Sequence, residues 1–135
     1  MQTIIILLLL FVYGPCPAQT GPTDSIDALA RNIDTACIPA KHINGSAHIH
    51  GRYTGLAYAD STSAIRKLEL RFDNGSTVIL YSTNDILVKI VEDGKSHYPG
   101  HPYYYGRQKM DSLLLRRLEE DRIIFQSIIA LLAPH

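Results

Sequence analysis

Hydrophobic and charged side chains alternate along Ile65–Phe72. A period of two is typical of a strand that buries one side and exposes the other to water. The segment ends at Asp73-Asn74-Gly75, and Asn-Gly favours a type I′ hairpin turn because both residues tolerate a positive φ. We therefore predict that residues 64–92 form the middle of an antiparallel meander, around which the rest of the chain is organised.

Two more strands of this meander are predicted at residues 77–82 and 86–91. The first is rich in β-branched and aromatic residues and the second is an apolar run. Turn residues separate them at 83–85, and Asp93-Gly94 follows the second one. No helix of useful length fits between these turns, so elimination supports the strand assignment as well as the pattern does.

The flanks of the meander have weaker patterns. Residues 47–59 are predicted as one long first strand after a loop at 41–46, although Gly51 and Gly55 interrupt the alternation. Glycines inside a strand often mark a bulge or a close approach of another backbone. Residues 95–102 are predicted as a loop, and the tyrosine triplet that follows it is predicted as a short edge strand.

Two segments show the 3.6-residue period of an amphipathic helix. In residues 25–37 the apolar side chains recur on one side, and Pro39 ends the segment because the residue before a proline avoids the helical region. In residues 113–132 the first half carries a charged run, and the second half is apolar nearly all round. The second half is therefore either packed deeply on the sheet or presented to a partner.

The charged run of the second helix contains Glu119, Glu120 and Asp121 among arginines. We interpret it as a solvated helix face, on which Arg116 and Arg117 each pair with the acidic residue one turn further on. Four aspartates elsewhere lie in predicted turns, where such side chains serve the backbone. Acidic residues are therefore not predicted to form an acid–base pair.

The predicted fold class is α+β in two layers. An N-terminal helix precedes an antiparallel meander of four to five strands, and the C-terminal apolar helix packs on one face of that sheet. A chain of 135 residues is expected to form one domain. Residues 19–135 are assigned to this domain, and residues 1–18 are assigned to a signal peptide.

The signal-peptide prediction follows from an uninterrupted apolar run at residues 4–13, after which come Gly14-Pro15-Cys16-Pro17-Ala18. Small residues in this second part favour cleavage before Gln19. The predicted location is secreted or periplasmic. A lipid anchor on Cys16 is disfavoured because Pro15 stands where a small residue is usual, and the apolar run is short for a membrane span. No membrane span is expected after cleavage.

The charge balance excludes one class of partner, and the cysteine content limits the possible disulfides. Lysine plus arginine and aspartate plus glutamate number 13 each, so the basic surface expected of a nucleic-acid-binding protein is missing and no nucleic-acid partner is predicted. After signal cleavage Cys37 is the one cysteine left. It is interpreted as a buried thiol near the end of a helix, with an intermolecular disulfide as the alternative. A homo-oligomer is left open.

Histidines are the first candidate binding residues. His48 and His50 are two apart, so on a strand they would point the same way, as in the H-x-H pairs of zinc and copper sites. His42, His97 and His101 are placed in loops, and a simple meander keeps the loop before the last strand far from this pair. A polar outer strand face is the alternative interpretation.

Tyrosines are the second candidate. Aromatic side chains offer a large contact area with a polar tip, which suits binding of peptides or glycans. Cross-strand packing on a half-exposed sheet is the alternative. The candidate binding residues are Tyr53, Tyr58, Tyr81, Tyr103, Tyr104 and Tyr105.

Catalytic motifs are not recognised in the sequence. No nucleophile elbow surrounds a serine and no glycine-rich phosphate loop is present. We therefore predict that the protein is not an enzyme and needs no cofactor. The expected function is an exported domain that binds a protein or an envelope component through an aromatic sheet face or the C-terminal helix. The alternative is a small metal- or ligand-binding protein that uses His48 and His50.

The segments 68–75 and 86–94 each join a strand to Asn-Gly or Asp-Gly. With a helix on either side, this layout resembles small secreted or periplasmic bacterial proteins of unknown function, built from aromatic strand–Asn/Asp-Gly–strand units. The resemblance covers about half of the chain and implies location and fold. It implies no functional residues.

Overall fold

The computed structural model describes residues 23–99 and 112–132. The described chain contains helix α1 (Asp24–Ala36), six strands and helix α2 (Ser112–Leu132). The strands are β1 (Ile38–Ala47), β2 (Gly51–Ala59), β3 (Ile65–Phe72), β4 (Thr77–Thr83), β5 (Ile86–Glu92) and β6 (Lys95–His97). They form one sheet in chain order, and every neighbouring pair is antiparallel. The predicted α+β fold is thus confirmed, with six strands in the sheet. The predicted signal peptide lies outside the described residues.

The C-terminal helix covers one face of the sheet, as predicted. Alternation along β3, β4 and β5 directs one set of side chains to this face, and α2 packs on them. The buried members of this core from the central strands are Leu68, Leu70, Phe72, Val78, Leu80, Leu87 and Ile90. Those from α2 are Leu118, Ile124, Phe125 and Ile128. Within the described part of the chain, no helix is long and apolar enough to cross a membrane.

Helix α1 packs on the opposite face of the sheet, where Ala30 and Ile33 meet Tyr81. Polar contacts add to this small apolar cluster. The Tyr81 hydroxyl donates to Asp34 at 2.9 Å, and the Lys67 ammonium lies 2.8 Å from the same carboxylate. Burial and the Asp34 hydrogen bond raise the pKa of Tyr81 to about 12. The sheet is therefore covered by a helix on each side, with the larger core under α2.

Two of the hairpin turns have a positive φ at both central residues, as two-residue turns between twisted strands prefer. These are Asn84-Asp85 (φ 53° and 62°) and Asp93-Gly94 (φ 50° and 84°). In Asp73-Asn74-Gly75 only Gly75 has a positive φ, of 91°. Asn74 instead accepts a hydrogen bond from the Ser76 backbone, so the type I′ turn predicted there is wrong while the hairpin itself is correct.

The outer strands differ most from the sequence prediction. Strand β1 occupies residues 38–47, where a loop was predicted at 41–46. It is an edge strand whose residues are exposed or half-buried, so it has no apolar alternation to reveal it. The predicted long strand at 47–59 is split by a turn before Gly51, which has a φ of 86°. A short strand, β6, replaces part of the predicted loop at 95–102.

Candidate functional site

A turn at residues 48–50 joins β1 to β2 and places His50 at the edge of the main core. Helix α2 holds this turn through the Glu120 carboxylate. The backbone N–H groups of Ile49 and His50 donate to it at 2.8 and 2.9 Å. A carboxylate that accepts two backbone N–H groups is held in a fixed position relative to the turn.

The imidazole of His50 has a defined orientation. Its Nδ1 lies 2.7 Å from the Glu120 Oε1, and because an ionised carboxylate only accepts hydrogen bonds, Nδ1 carries a proton. The ring also lies against Phe72, with 4.7 Å between the ring centroids. These two contacts direct Nε2 away from Glu120 and into the protein.

Two more carboxylates lie on the Nε2 side of the ring. Asp121 Oδ1 is 3.3 Å from Nε2, and Glu92 Oε1 is 3.9 Å from it. Glu92 ends β5 on the face that α2 covers, and its Oε1 lies 2.8 Å from Arg117 Nε in an ion pair. Asp121 is fully buried. We call His50, Glu92 and Asp121 the buried triad.

Burial sets the protonation of Asp121. Removing the carboxyl group from water disfavours its charged form. The positive His50 opposes this effect, but the nearby Glu92 and Glu120 add to it, and the pKa of Asp121 is raised to about 8. Asp121 therefore holds a proton at neutral pH.

The pKa of His50 is also raised, but for a different reason. Burial alone would lower the pKa of this imidazole, but the surrounding Glu92, Glu120 and Asp121 carboxylates outweigh burial and raise it to about 9. Glu92 and Glu120 have pKa values below the ordinary range, because contacts with His50 outweigh the effect of their own burial. At neutral pH the cluster thus contains two positive groups (His50 and Arg117), two negative groups and a neutral acid.

Several polar atoms in the cluster form no hydrogen bond of normal geometry with the described residues, although charged groups lie close to them. They are His50 Nε2, Glu92 Oε2 and both carboxyl oxygens of Asp121. Buried polar groups in native proteins nearly always have a partner. The inward side of the triad therefore has unused capacity to bind a small polar or charged ligand.

The two histidines of the predicted metal site occupy different environments. Both lie in the turn before β2 rather than on a strand, so the same-face argument does not apply to them. His48 is exposed and His50 is buried. His50 is grouped instead with Glu92 and Asp121, which the sequence interpretation did not include. His42 lies on the exposed edge strand β1, His97 is buried on β6, and His101 lies outside the described residues.

The solvated helix face predicted for residues 119–121 is wrong at Asp121. This residue follows Leu118 by three positions and precedes Phe125 by four, so the helical period places it on the apolar side. That spacing is the signal that could have identified it. The predicted pairs are also replaced, because Arg117 pairs with Glu92, and Glu119 pairs with Arg122.

The predicted tyrosines do not share one surface. Tyr53 is buried in the core under α2, against Phe72, and Tyr81 is buried on the opposite face under α1. Tyr58 is half-buried, and its hydroxyl donates to Glu69 at 2.9 Å. Tyr103, Tyr104 and Tyr105 lie outside the described residues. The described tyrosines therefore act mainly in packing.

A groove of about 530 Å³ runs between α2 and the corner where β1 turns into β2. Two apolar side chains of α2 line it and are still exposed, Leu115 at 45% and Ile123 at 51%. Other lining residues are Ser46, Ala47, His48, Ile49, Tyr53, Arg116, Glu119, Glu120, Ile124 and Ser127. We call this feature the α2 groove.

Comparison with known proteins identifies no matching family model, no similar curated protein and no similar solved structure. The buried triad and the α2 groove are therefore the features of the described residues that bear on function. The resemblance to small exported bacterial proteins stays a prediction.

Proposed function

We propose that the chain is a non-enzymatic domain of an exported protein and that it binds an apolar segment of a protein partner in the α2 groove. The observation that supports this proposal is the exposure of Leu115 and Ile123 beside a concave surface. Export is proposed from the apolar segment and small residues of positions 1–18. The helix takes the binding role in preference to the aromatic sheet face, since Tyr53 and Tyr81 are buried.

The expected contribution of the groove can be estimated from exposure. Leu115 and Ile123 each have about half of their surface still in contact with water. Covering the rest would contribute about 1 kcal/mol for each side chain. Arg116 and Glu119 also line the groove, and polar groups at the rim of an interface orient a partner more than they add affinity.

The test is capture of a partner from an envelope extract of the source cells, followed by affinity measurement with the purified partner. The groove variant carries Leu115→Glu and Ile123→Glu. The matched control carries Ile38→Glu and Ile86→Glu, which make the same charge change at two exposed apolar side chains outside the groove. We expect the groove variant to lose roughly 30-fold or more in affinity, as 2 kcal/mol implies, and the control to lose little.

Two results would overturn the proposal. One is an equal effect of both double variants on the partner, which would place the contact elsewhere. The other is loss of self-association in the groove variant, measured by light scattering, with no other partner found. That result would assign the groove to a second copy of this chain.

The alternative function is that of a metal- or ligand-binding protein that uses His48 and His50. Of these two histidines, His50 has the surroundings that favour ligand binding. His50 Nε2 is buried, forms no hydrogen bond of normal geometry with the described residues and lies close to two carboxyl groups. His48 is exposed beside the α2 groove. A His48→Ala variant distinguishes the contribution of His48 to metal binding from that of His50.

A further inference from the structure

We propose that the buried triad of His50, Glu92 and Asp121 is a binding site for one Zn²⁺ ion, with Glu120 as a positioning residue. This site binds an ion, whereas the α2 groove is proposed to bind a protein segment. Its acidic residues alone would not identify a metal site. The position of the His50 ring and the buried polar atoms without a hydrogen bond of normal geometry support the assignment.

The distances are close to those that a shared ion requires. One candidate ligand atom from each triad residue lies within 4.8 Å of the others. Zinc bonds to histidine nitrogen and carboxylate oxygen are about 2.0–2.2 Å long, so two ligands on one tetrahedral ion are roughly 3.3–3.5 Å apart. His50 Nε2 and Asp121 Oδ1 are 3.3 Å apart. Glu92 Oε1 is 3.9 Å from Nε2, so the Glu92 side chain has to move closer to bind the same ion.

The orientation of His50 is that of a zinc ligand. A histidine that binds a metal through one ring nitrogen usually donates the other N–H to a carboxylate or a carbonyl, which fixes the tautomer and the ring plane. Nδ1 of His50 donates in this way to Glu120, at 2.7 Å. Glu120 is itself fixed by the backbone N–H groups of Ile49 and His50. Nε2 is consequently left to bind an ion.

The side-chain types also accommodate a divalent cation. Glu92 and Asp121 offer two carboxyl groups to an ion, and the Arg117–Glu92 and His50–Glu120 contacts lie beside them. Two carboxylate ligands match the charge of one divalent ion, as a buried cation requires.

The chemical types of the three ligands favour some metal ions over others. One imidazole and two carboxylates suit Zn²⁺ and its neighbours in the first transition row, whereas Ca²⁺ and Mg²⁺ prefer oxygen ligands alone. Three protein ligands leave a coordination position for water or another group. Zinc is the test ion because it is redox-inactive and binds this ligand set in a tetrahedral geometry.

The experiment is calorimetric titration of Zn²⁺ into the purified protein after dialysis against EDTA, with Mg²⁺ as the comparison ion. We expect one Zn²⁺ per chain, a higher Tm in the presence of Zn²⁺, and no comparable binding of Mg²⁺. The decisive variants are Asp121→Asn and Glu92→Gln. Both keep the size of the side chain while removing a carboxylate ligand, and we expect each to weaken Zn²⁺ binding at least 100-fold.

The positioning role of Glu120 is tested by the Zn²⁺ affinity of a Glu120→Gln variant. In Glu120→Gln the amide oxygen can still accept hydrogen bonds from the turn, so we expect a stoichiometry of one with a 10–100-fold weaker affinity. The matched histidine control is His48→Ala, at an exposed position, and it should bind Zn²⁺ as the unmodified protein does.

Three outcomes would overturn the proposal. The first is failure of the unmodified protein to bind Zn²⁺ at a stoichiometry near one. The second is unchanged Zn²⁺ affinity in both Asp121→Asn and Glu92→Gln. The third is loss of binding in His48→Ala, which would assign the metal to the exposed histidine. Circular dichroism of each metal-free variant shows whether it is folded, and the two decisive variants change different elements, so misfolding of one leaves the other as the test.

Discussion

Replacing Asp121 with asparagine should change how the stability of the metal-free fold depends on pH. An aspartate in the unfolded chain loses its proton near its ordinary pKa of 3.8, whereas in the folded protein burial keeps the proton on Asp121 up to a pKa of about 8. Between these values the folded state binds one more proton than the unfolded state. Each pH unit therefore lowers the free energy of unfolding by about 1.4 kcal/mol.

Asparagine has no proton to lose, so this dependence is removed in the variant. Between pH 5 and 7, wild type should lose on the order of 3 kcal/mol relative to Asp121→Asn, as one proton over two pH units implies. The groups that face Asp121 are His50, Glu92, Glu120 and Arg117. They are present in both proteins, but Asp121 contributes to the pKa shifts of His50 and Glu92, so the test is the sign and the order of magnitude of the pH dependence.

The assay is urea unfolding in EDTA at pH 5, 6 and 7. The free energy of unfolding of wild type minus that of Asp121→Asn is plotted against pH. The control is Glu119→Gln on the exposed side of the same helix. Arg122 lowers the pKa of Glu119 from its ordinary 4.5, so its contribution is lost only below this pH range, and the difference between wild type and Glu119→Gln should stay constant from pH 5 to 7. A difference between wild type and Asp121→Asn that stays constant with pH would refute the proposed protonation of the cluster.

Three further changes test the fold. Leu80→Ala removes a fully buried side chain from the main core and should cost about 3 kcal/mol in urea unfolding. Gly55→Ala would place a Cβ 2.0 Å from the Glu69 carbonyl oxygen of β3, so we expect a loss of several kcal/mol, on the order of a severe core defect, or insoluble expression. Tyr81→Phe removes the hydrogen bond to Asp34 and should lower the free energy of unfolding by about 1–2 kcal/mol in the same assay.

The elements that could be predicted from sequence are those with a local signal. Strands β3, β4 and β5 alternate or run apolar between turn residues, and both helices show a 3.6-residue period. Strand β1 gives no such signal, because it is polar and lies at the edge of the sheet. Its hydrogen bonds to β2 hold it in place, and pairing between strands depends on tertiary context that a single-strand pattern does not contain.

The buried triad was harder to predict, because its three residues come from three separate elements. His50 lies in a turn, Glu92 ends a strand, and Asp121 stands within a charged run. The helical position of Asp121 was readable from its spacing to Leu118 and Phe125. Its convergence with the other two depends on where α2 crosses the corner between β1 and β2, and no local pattern in the sequence specifies that crossing.

The division of roles within the cluster supports a ligand site over a purely structural one. Buried ionic groups often add little net stability, and one well-supported role for them is to fix the register of packed elements. Glu120 already performs that role, since it binds two backbone N–H groups of the β1–β2 turn.

A polar network that rigidifies a core does so when its members are satisfied. His50 Nε2 and both oxygens of Asp121 form no hydrogen bond of normal geometry with the described residues, although Nε2 and Asp121 Oδ1 are 3.3 Å apart. Removing them should therefore affect ligand binding more than the position of α2. Amide exchange across α2 in metal-free Asp121→Asn measures that position, and a loss of protection at Ile124 and Phe125 would indicate that the cluster is structural instead.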